Sequence, residues 1–421
     1  MRVPRALNSL RNYNFRLFWF GQLISLVGTW MQSVGQAWLV LKLSNSPLAL
    51  GTVAALQFLP VTILTLFAGV IVDRLPKRRM LLITQSASMI QAFVLAVLVS
   101  SNQIQIWHVY VLAAVLGLVN AFDNPTRQAF VIEMVGREEI VNAVALNSML
   151  FNTARIVGPA VGGVLIAAIG LSECFYVNAI SFVAVLIGLL LMRESALHAP
   201  RVRAQGHIVR QLGDGLRYAA RTPAVLVIVI LMGTLGTFGY NFSTALPLLA
   251  KDGLGVGAAG YGALMSVMGA GSLLAALVLA NSGRVSIRRL FVGAAGFSVL
   301  LGTVAASHWY PISLALMLPL GFASITFTTS ANTSLQLETP DALRGRVMSL
   351  YTFLFLGSTP IGGLVTGFLA EQLGIQWTLA IEAGACAAGV VAGVLYWLEV
   401  GRRTALPQEA VSTRTGGDSA R

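Results

Sequence analysis

The sequence predicts an all-α polytopic membrane protein, built as two six-helix bundles related by an internal repeat. Composition comes first: of 421 residues 56% are hydrophobic and only 10% charged, with a mean hydropathy of +0.77. Soluble domains carry roughly 25% charged residues. Second, runs such as Leu17–Leu41, Leu43–Val72, Met80–Trp107 and Gly253–Gly283 hold no Asp, Glu, Lys or Arg. Each is long enough to cross a ~30 Å hydrocarbon core as a helix. They are continuous, whereas a membrane barrel alternates in segments of about ten residues. Third, the charges that remain are sorted between loops.

Spans are expected at 17–41, 48–72, 80–101, 106–128, 142–169, 174–192, 223–250, 257–281, 287–307, 310–335, 346–370 and 376–398. The arginines before the first run precede no small-residue cleavage site, and the run is too long for a signal-peptide core. It therefore reads as an uncleaved span. With the N-terminus in the cytoplasm, every one of the 28 basic residues falls on the cytoplasmic side except Lys42, Lys251 and Arg155. That bias fixes the orientation, with both termini inside, and points to a bacterial cytoplasmic (inner) membrane. It also accounts for the net charge of +12 and pI near 10.4 without a nucleic-acid partner. Cys174 and Cys386 lie at or inside spans, so no disulfide framework or metal site is indicated, and no cofactor is expected.

The longest internal polar segment, 194–222, divides the chain into an N-terminal half (1–193) and a C-terminal half (223–398), with a Ser/Thr/Gly-rich tail over 399–421 expected to be disordered. The halves echo one another. Arg78-Arg79 after the second span recurs as Arg288-Arg289 after the eighth, and Gly158-Pro159-Ala160-Val161-Gly162-Gly163 recurs as Ser358-Thr359-Pro360-Ile361-Gly362-Gly363. Two similar halves suggest a central site at the repeat interface.

Candidate chemistry follows the same repeat. In the first span Gln22, Ser25, Thr29, Gln32, Ser33 and Gln36 fall on one helical stripe. Thr237, Asn241 and Thr244 of the seventh span match Thr29, Ser33 and Gln36 at one constant offset. Interhelical hydrogen bonding is the plain reading of such stripes; the repeat favours a shared cavity instead. Asp123, Arg155 and Glu382 are charges within or near the membrane, where they usually face a bundle interior or a cavity. Arg155 lies roughly 20 Å along its helix. It is either the partner of Asp123 in a structural ion pair, or a ligand or coupling group beside Asn152. Glu382, about two turns from the outer end, is expected within reach of the interface.

The most specific signal is Gly69-Val70-Ile71-Val72-Asp73-Arg74-Leu75-Pro76-Lys77-Arg78, a small residue, a carboxylate and a basic cluster at the cytoplasmic surface. It resembles the loop signature of the major facilitator superfamily, with Pro76 in place of the usual glycine. Gly158-Pro159-x-x-Gly162-Gly163 is similar to the fifth-span signature of that superfamily's exporters, where it bends the helix and controls closure. Asn14–Trp19, Ser46–Gly51, Asn124–Phe130 and Asn142–Ser148 look like its enterobactin-exporter-like branch, and the resemblance runs over about residues 8–400. It implies the major facilitator fold and export of siderophores or other amphipathic compounds, generally with proton antiport. Ala113 stands where drug–proton antiporters often place an arginine ahead of Gly117, and the first span has no acid, so proton coupling stays open.

The leading expectation is a secondary exporter working as a monomer on a small molecule by alternating access. An importer on the same fold and a sensor or scaffold are the competitors. A membrane enzyme is disfavoured because His108, His198, His207 and His308 all lie in loops or at span ends, with no nucleophile–base pair in the spans. Reporter fusions after residues 75, 205, 285 and 403 are expected to report cytoplasm, and fusions near 45, 171 and 253 the outside. An outside signal at 205 sinks the two-lobed topology.

Overall fold

The structure is a computed structural model that describes residues 5–198, 208–282 and 286–405. Helices start where the sequence supplies caps. Asn12 accepts from Phe15 N to open α1 (Tyr13–Leu43), and Ser46 accepts from Ala49 N, ahead of Pro47, to open α2 (Pro47–Arg74). There follow α3 (Lys77–Ser100), α4 (Ile106–Val135), α5 (Ile140–Ala168) and α6 (Leu171–Leu190). An amphipathic α7 (Ile208–Arg221) lies in the connection to the second set. That set comprises α8 (Pro223–Phe238), α9 (Phe242–Leu248), α10 (Ala258–Ser282), α11 (Ile287–Ala306), α12 (Tyr310–Glu338), α13 (Asp341–Leu373) and α14 (Ile375–Ala405). No strand occurs among the described residues. Eleven described helices are long and apolar enough to cross a membrane. The 31-residue α1 has the length for a twelfth, and its amides and hydroxyls dilute its apolarity.

Four boundaries differ from expectation. The fourth span continues past its expected end at 128 to Val135, so Arg127 lies about two turns inside the helix and not at its last residues. The seventh is broken: α8 stops at Phe238, residues 239–241 leave the helix, and α9 runs into a π-turn at Leu249–Gly253. Part of the 194–222 segment is helical, as α7 and a short turn at Glu194–Ala196; residues 199–207 lie outside the described residues. The last helix reaches Ala405, and the rest of the expected tail lies outside the described residues.

Large apolar side chains such as Ile83, Ile180, Val299 and Trp377 are exposed, the mark of helices that face lipid rather than water. α1–α6 pack among themselves, as do α8–α14, and the two sets meet along α2–α13 and α5–α10. Both crossings depend on backbone-to-backbone approach. A Cβ at Gly262 of α10 would strike the Pro159 carbonyl of α5, and one at Gly51 of α2 would strike the Gly363 carbonyl of α13. Ser266 Oγ donates to Ile156 O at 2.6 Å, and Thr62 Oγ1 donates to Leu356 O at 3.1 Å.

This seam runs from the α1–α2 connection, away from the basic end, to about Thr62, roughly 20 Å at the helical rise. Its outer tips are tied by charge. Glu371 accepts from Ser46 Oγ (2.7 Å) and Leu48 N (3.0 Å) at the start of α2. Lys251 donates to Leu41 O (3.1 Å) at the end of α1 and to Asn45. Gly262→Leu is expected to part α5 from α10 and to raise the labelling of cysteines placed at the outer tips several-fold. Gly384→Leu, on an exposed face with nothing within 4 Å, should change nothing. Equal labelling in both variants would remove the glycine crossing as the seal.

Candidate functional site

The polar stripe of α1 separates into two faces. Gln32 is turned into the first helix set, where its amide donates to Gln91 Oε1 (2.9 Å) and its carbonyl accepts from Asn178 Nδ2 (2.6 Å). It is 4% exposed, and these bonds tie α1 to α3 and α6. Gln36, also buried, reaches Gln57 of α2 at 3.5 Å. Thr29 is half-buried and Ser33 exposed, each bonded to its own helix through Ser25 O and Trp30 O. These two are the stripe's open members.

In the second set the matching residues surround the break in the seventh span. Thr237 is half-buried, whereas Asn241 and Thr244 are buried. Asn241 Nδ2 donates to Thr237 O at 2.7 Å, across the end of α8. The break is walled by aromatic rings: Tyr240 stacks on Phe297 with centroids 5.1 Å apart, and its hydroxyl donates to Ser324 O. Glu382 of α14 lies beside it. Only 2% exposed, it accepts from Thr366 of α13 and from Asn241. The expectation that Glu382 reaches the interface is corrected, because its helix presents it to α9 and α13 and not to the headgroups.

The charges of the first set also pair otherwise than expected. Asp123 accepts from Thr84 Oγ1 (2.7 Å) and Gln85 Nε2 (2.8 Å) of α3 and forms an ion pair with Arg127, four residues along α4. It does not pair with Arg155. The reason is geometric: α4 packs mainly on α2 and α3, and the i,i+4 spacing brings Arg127 under the carboxylate. Arg155 instead donates from Nη2 to Asn152 Oδ1 at 3.2 Å, while its Nε is enclosed without a protein partner. Its backbone borders Gly269 of α10, at the inner limit of the seam. A guanidinium with donors to spare, beside a partly open amide, can grip a carboxylate, phenolate or phosphate.

The cations of the signature loop close the basic end of the first set. Lys77 pairs with Glu133 at 3.6 Å. Arg78 donates to Leu189 O and Leu190 O, neutralising the carboxyl end of α6, and pairs with Glu194. Arg74 is exposed; the surroundings of Gly69 and the side chain of Asp73 lie outside what is described.

The two glycine signatures are placed alike. Gly158 and Gly162 pack on α1 at Trp30 and Met31, and Gly163 crosses to Ala258 of α10. In the echo, Gly362 packs on Thr237 and Asn241, and Gly363 crosses to Gly51 and Ala54 of α2. Each signature thus holds the first span of its own set on one side and the opposite set on the other. Pro159 contributes the carbonyl against which Gly262 closes. Sequence reasoning missed Thr366, Thr62, Ser266 and Glu371. Their partners lie far along the chain, and nothing local marks them.

The family model for transmembrane secretion effectors matches residues 5–413. The multidrug efflux pump Tap of Mycolicibacterium fortuitum is 29% identical over 388 residues, covering 89% of this chain and 94% of that protein. The enterobactin exporter EntS of Shigella boydii is 24% identical over 388 residues, covering 91% of each. Among solved structures, the nucleoside transporter NupG aligns with a TM-score of 0.72 at 15% identity, over 93% of this chain and 99% of that one, a likeness of fold alone.

Arg127→Ala strands a buried carboxylate and is expected to cost ~3–5 kcal/mol of stability, read as a lower unfolding temperature in detergent. Arg155→Ala, which frees no carboxylate, should cost far less. Equal losses would reinstate a structural role for Arg155.

Proposed function

The chain belongs to the transmembrane secretion effector family of the major facilitator superfamily, and from that premise we propose that it exports a small amphipathic molecule by alternating access. As a member it is a multi-pass membrane transporter and not an enzyme. The alternating-access reading is carried by the one-sided seam, closed by the paired glycine signatures and tied at its outer tips, and the direction is supported by the named activities of the relatives Tap and EntS. With the basic end in the cytoplasm, as the distribution of Lys and Arg requires, this is a state sealed toward the outside. Cargo then enters from the cytoplasm between the lobes 1–193 and 223–398, with 194–222 as their tether and both termini on the cytoplasmic side of a bacterial inner membrane.

The lining assigned to that path is Thr29, Ser33, Asn152, Arg155 and Thr237, the half-buried or exposed members of the polar set. Trp30 and Phe151, edge to face at 5.8 Å, add an aromatic surface between α1 and α5. Gln32, Asn241 and Thr244 stand behind it. An arginine fork beside aromatic rings suits an amphipathic compound with an acidic or hydrogen-bond-accepting group. The named activities of Tap and EntS make a drug or a siderophore-like compound the reasonable cargo class. Gly158 and Gly162 transmit closure to α1, and Gly163 and Gly363 form the seal itself.

Deleting the gene should raise sensitivity to at least one compound several-fold, and everted vesicles carrying the protein should accumulate it. Arg155→Lys should keep membrane abundance and lower transport about tenfold, because lysine keeps the charge and loses the fork. Equal uptake by vesicles with and without the protein, across ethidium, a macrolide and a catecholate siderophore, would defeat the export reading.

A further inference from the structure

The lining assigned above leaves Glu382 without a task, although it is the acid buried deepest in the second helix set. It is 2% exposed, and no described Lys, Arg or His is paired with it. Its hydrogen-bond partners are Thr366 Oγ1 and the Asn241 amide. The ionisable groups on the surrounding elements offer no counter-charge. Cys386 lies one turn along α14, and Tyr240 at the break gives its hydroxyl to Ser324 O. Lys251 and Glu371 are engaged at the outer tips, Asp252 lies beside them, and His308 is exposed in the α11–α12 connection. An ionised carboxylate enclosed in this way has no compensating charge.

Two enclosed polar atoms on the neighbouring α9 end lack partners. Asn241 Oδ1 and Thr244 Oγ1 are both enclosed and have no hydrogen-bond partner, on residues 2% and 0% exposed. Both face the same stretch of α13. A Cβ at Gly362 would meet Asn241 Oδ1, one at Gly363 would lie 3.5 Å from Thr244 Oγ1, and Thr366 is the next turn. An ionised carboxylate only accepts, so it cannot serve the Asn241 amide oxygen, although the Thr244 hydroxyl can donate to either form. A carboxylic acid has one O–H to donate, and an acceptor stands next to it.

We infer that Glu382, with Asn241, Thr244 and Thr366, forms an exchangeable proton site at the break in the seventh span. Loading moves one proton from a hydronium ion to a carboxylate oxygen of Glu382, leaving water; release returns it to water. A small cavity bordered by Glu382, Gly239, Phe242, Leu301, Met317 and Leu379 has room for about one water molecule. Occupancy is read by Asn241, which holds both Thr237 O at the end of α8 and the Glu382 carboxylate. It also packs on Gly362, next to the seam residue Gly363. The site stands without the export reading; its use to drive transport rests on that reading.

The test is infrared difference spectroscopy of the full-length protein in liposomes, stepped in pH in potassium chloride. A protonated-carboxyl band is expected in the wild type, missing in Glu382→Gln and shifted in Thr366→Val. An unchanged band in Glu382→Gln overturns the assignment, as does loss of the wild-type band when sodium chloride replaces potassium chloride, which would make the site a sodium site. In vesicles preloaded with ethidium, an imposed pH gradient should stimulate wild-type transport at least about tenfold more than Glu382→Gln. Equal stimulation overturns the coupling role. If the wild type moves no compound at all, the export reading fails while the infrared result still decides the proton site.

Discussion

Inside a bilayer no water is available to finish a hydrogen bond, so each polar atom on these helices is answered by protein or becomes a point of instability. This constraint explains how the first helix set is held. Gln32 exchanges hydrogen bonds with Gln91 and Asn178, joining α1, α3 and α6 through one amide chain. Asp123 collects Thr84, Gln85 and Arg127. Networks of this kind are rigid because the removal of any member leaves others without a partner. Enclosed polar atoms without a partner occur in both sets: Gln22, Gln85 Oε1 and Arg127 Nε in the first, and Asn241 Oδ1 and Thr244 Oγ1, beside a broken helix and a lone acid, in the second.

The seam obeys a second constraint, that helices close enough to touch through their backbones must give up side chains there. Small residues let the approach happen and dispersion holds it. Gly51 against Gly363, and Gly262 against Pro159, are two such contacts on opposite sides of the pseudo-symmetric assembly. Contacts of this kind carry little directionality. A seam made of them can separate without breaking a salt bridge, and the few hydrogen bonds that cross it, from Ser266 and Thr62, go to carbonyls that already serve their own helices.

Much of this was legible in the sequence, and what was not has a common cause. Twelve spans, the two sets and the repeated glycine signature follow from hydropathy, charge and self-similarity, all of which are properties of short windows. The Asp123–Arg127 pair was legible too, since its spacing is a local one. Pairing Asp123 with Arg155 gave weight to charge over helix register. The break at residues 239–241 was invisible because the apolar run continues through it. The burial of Glu382 was invisible for another reason: whether a carboxylate near a helix end reaches water depends on which neighbours its face meets, and Thr366 and Asn241 are distant in the chain.

The outer tips complete the logic. Glu371 is exposed and answers the free N–H groups at the start of α2, while Lys251 answers a free carbonyl at the end of α1. Opposite charges from one helix set thus sit on opposite helix ends of the other, the arrangement the peptide dipole favours. Each contact is at the water boundary, where such interactions are weak and screened. That weakness fits the position. A buried ion pair at the tips would have to be desolvated on every closure and stranded on every opening. Caps at the surface exchange their protein partners for water instead, so they orient the closing lobes without raising the barrier to parting them. The strong interactions are kept within each set, and the interactions between sets are close, dry and individually small. That division is what a two-lobed machine with interconvertible states requires.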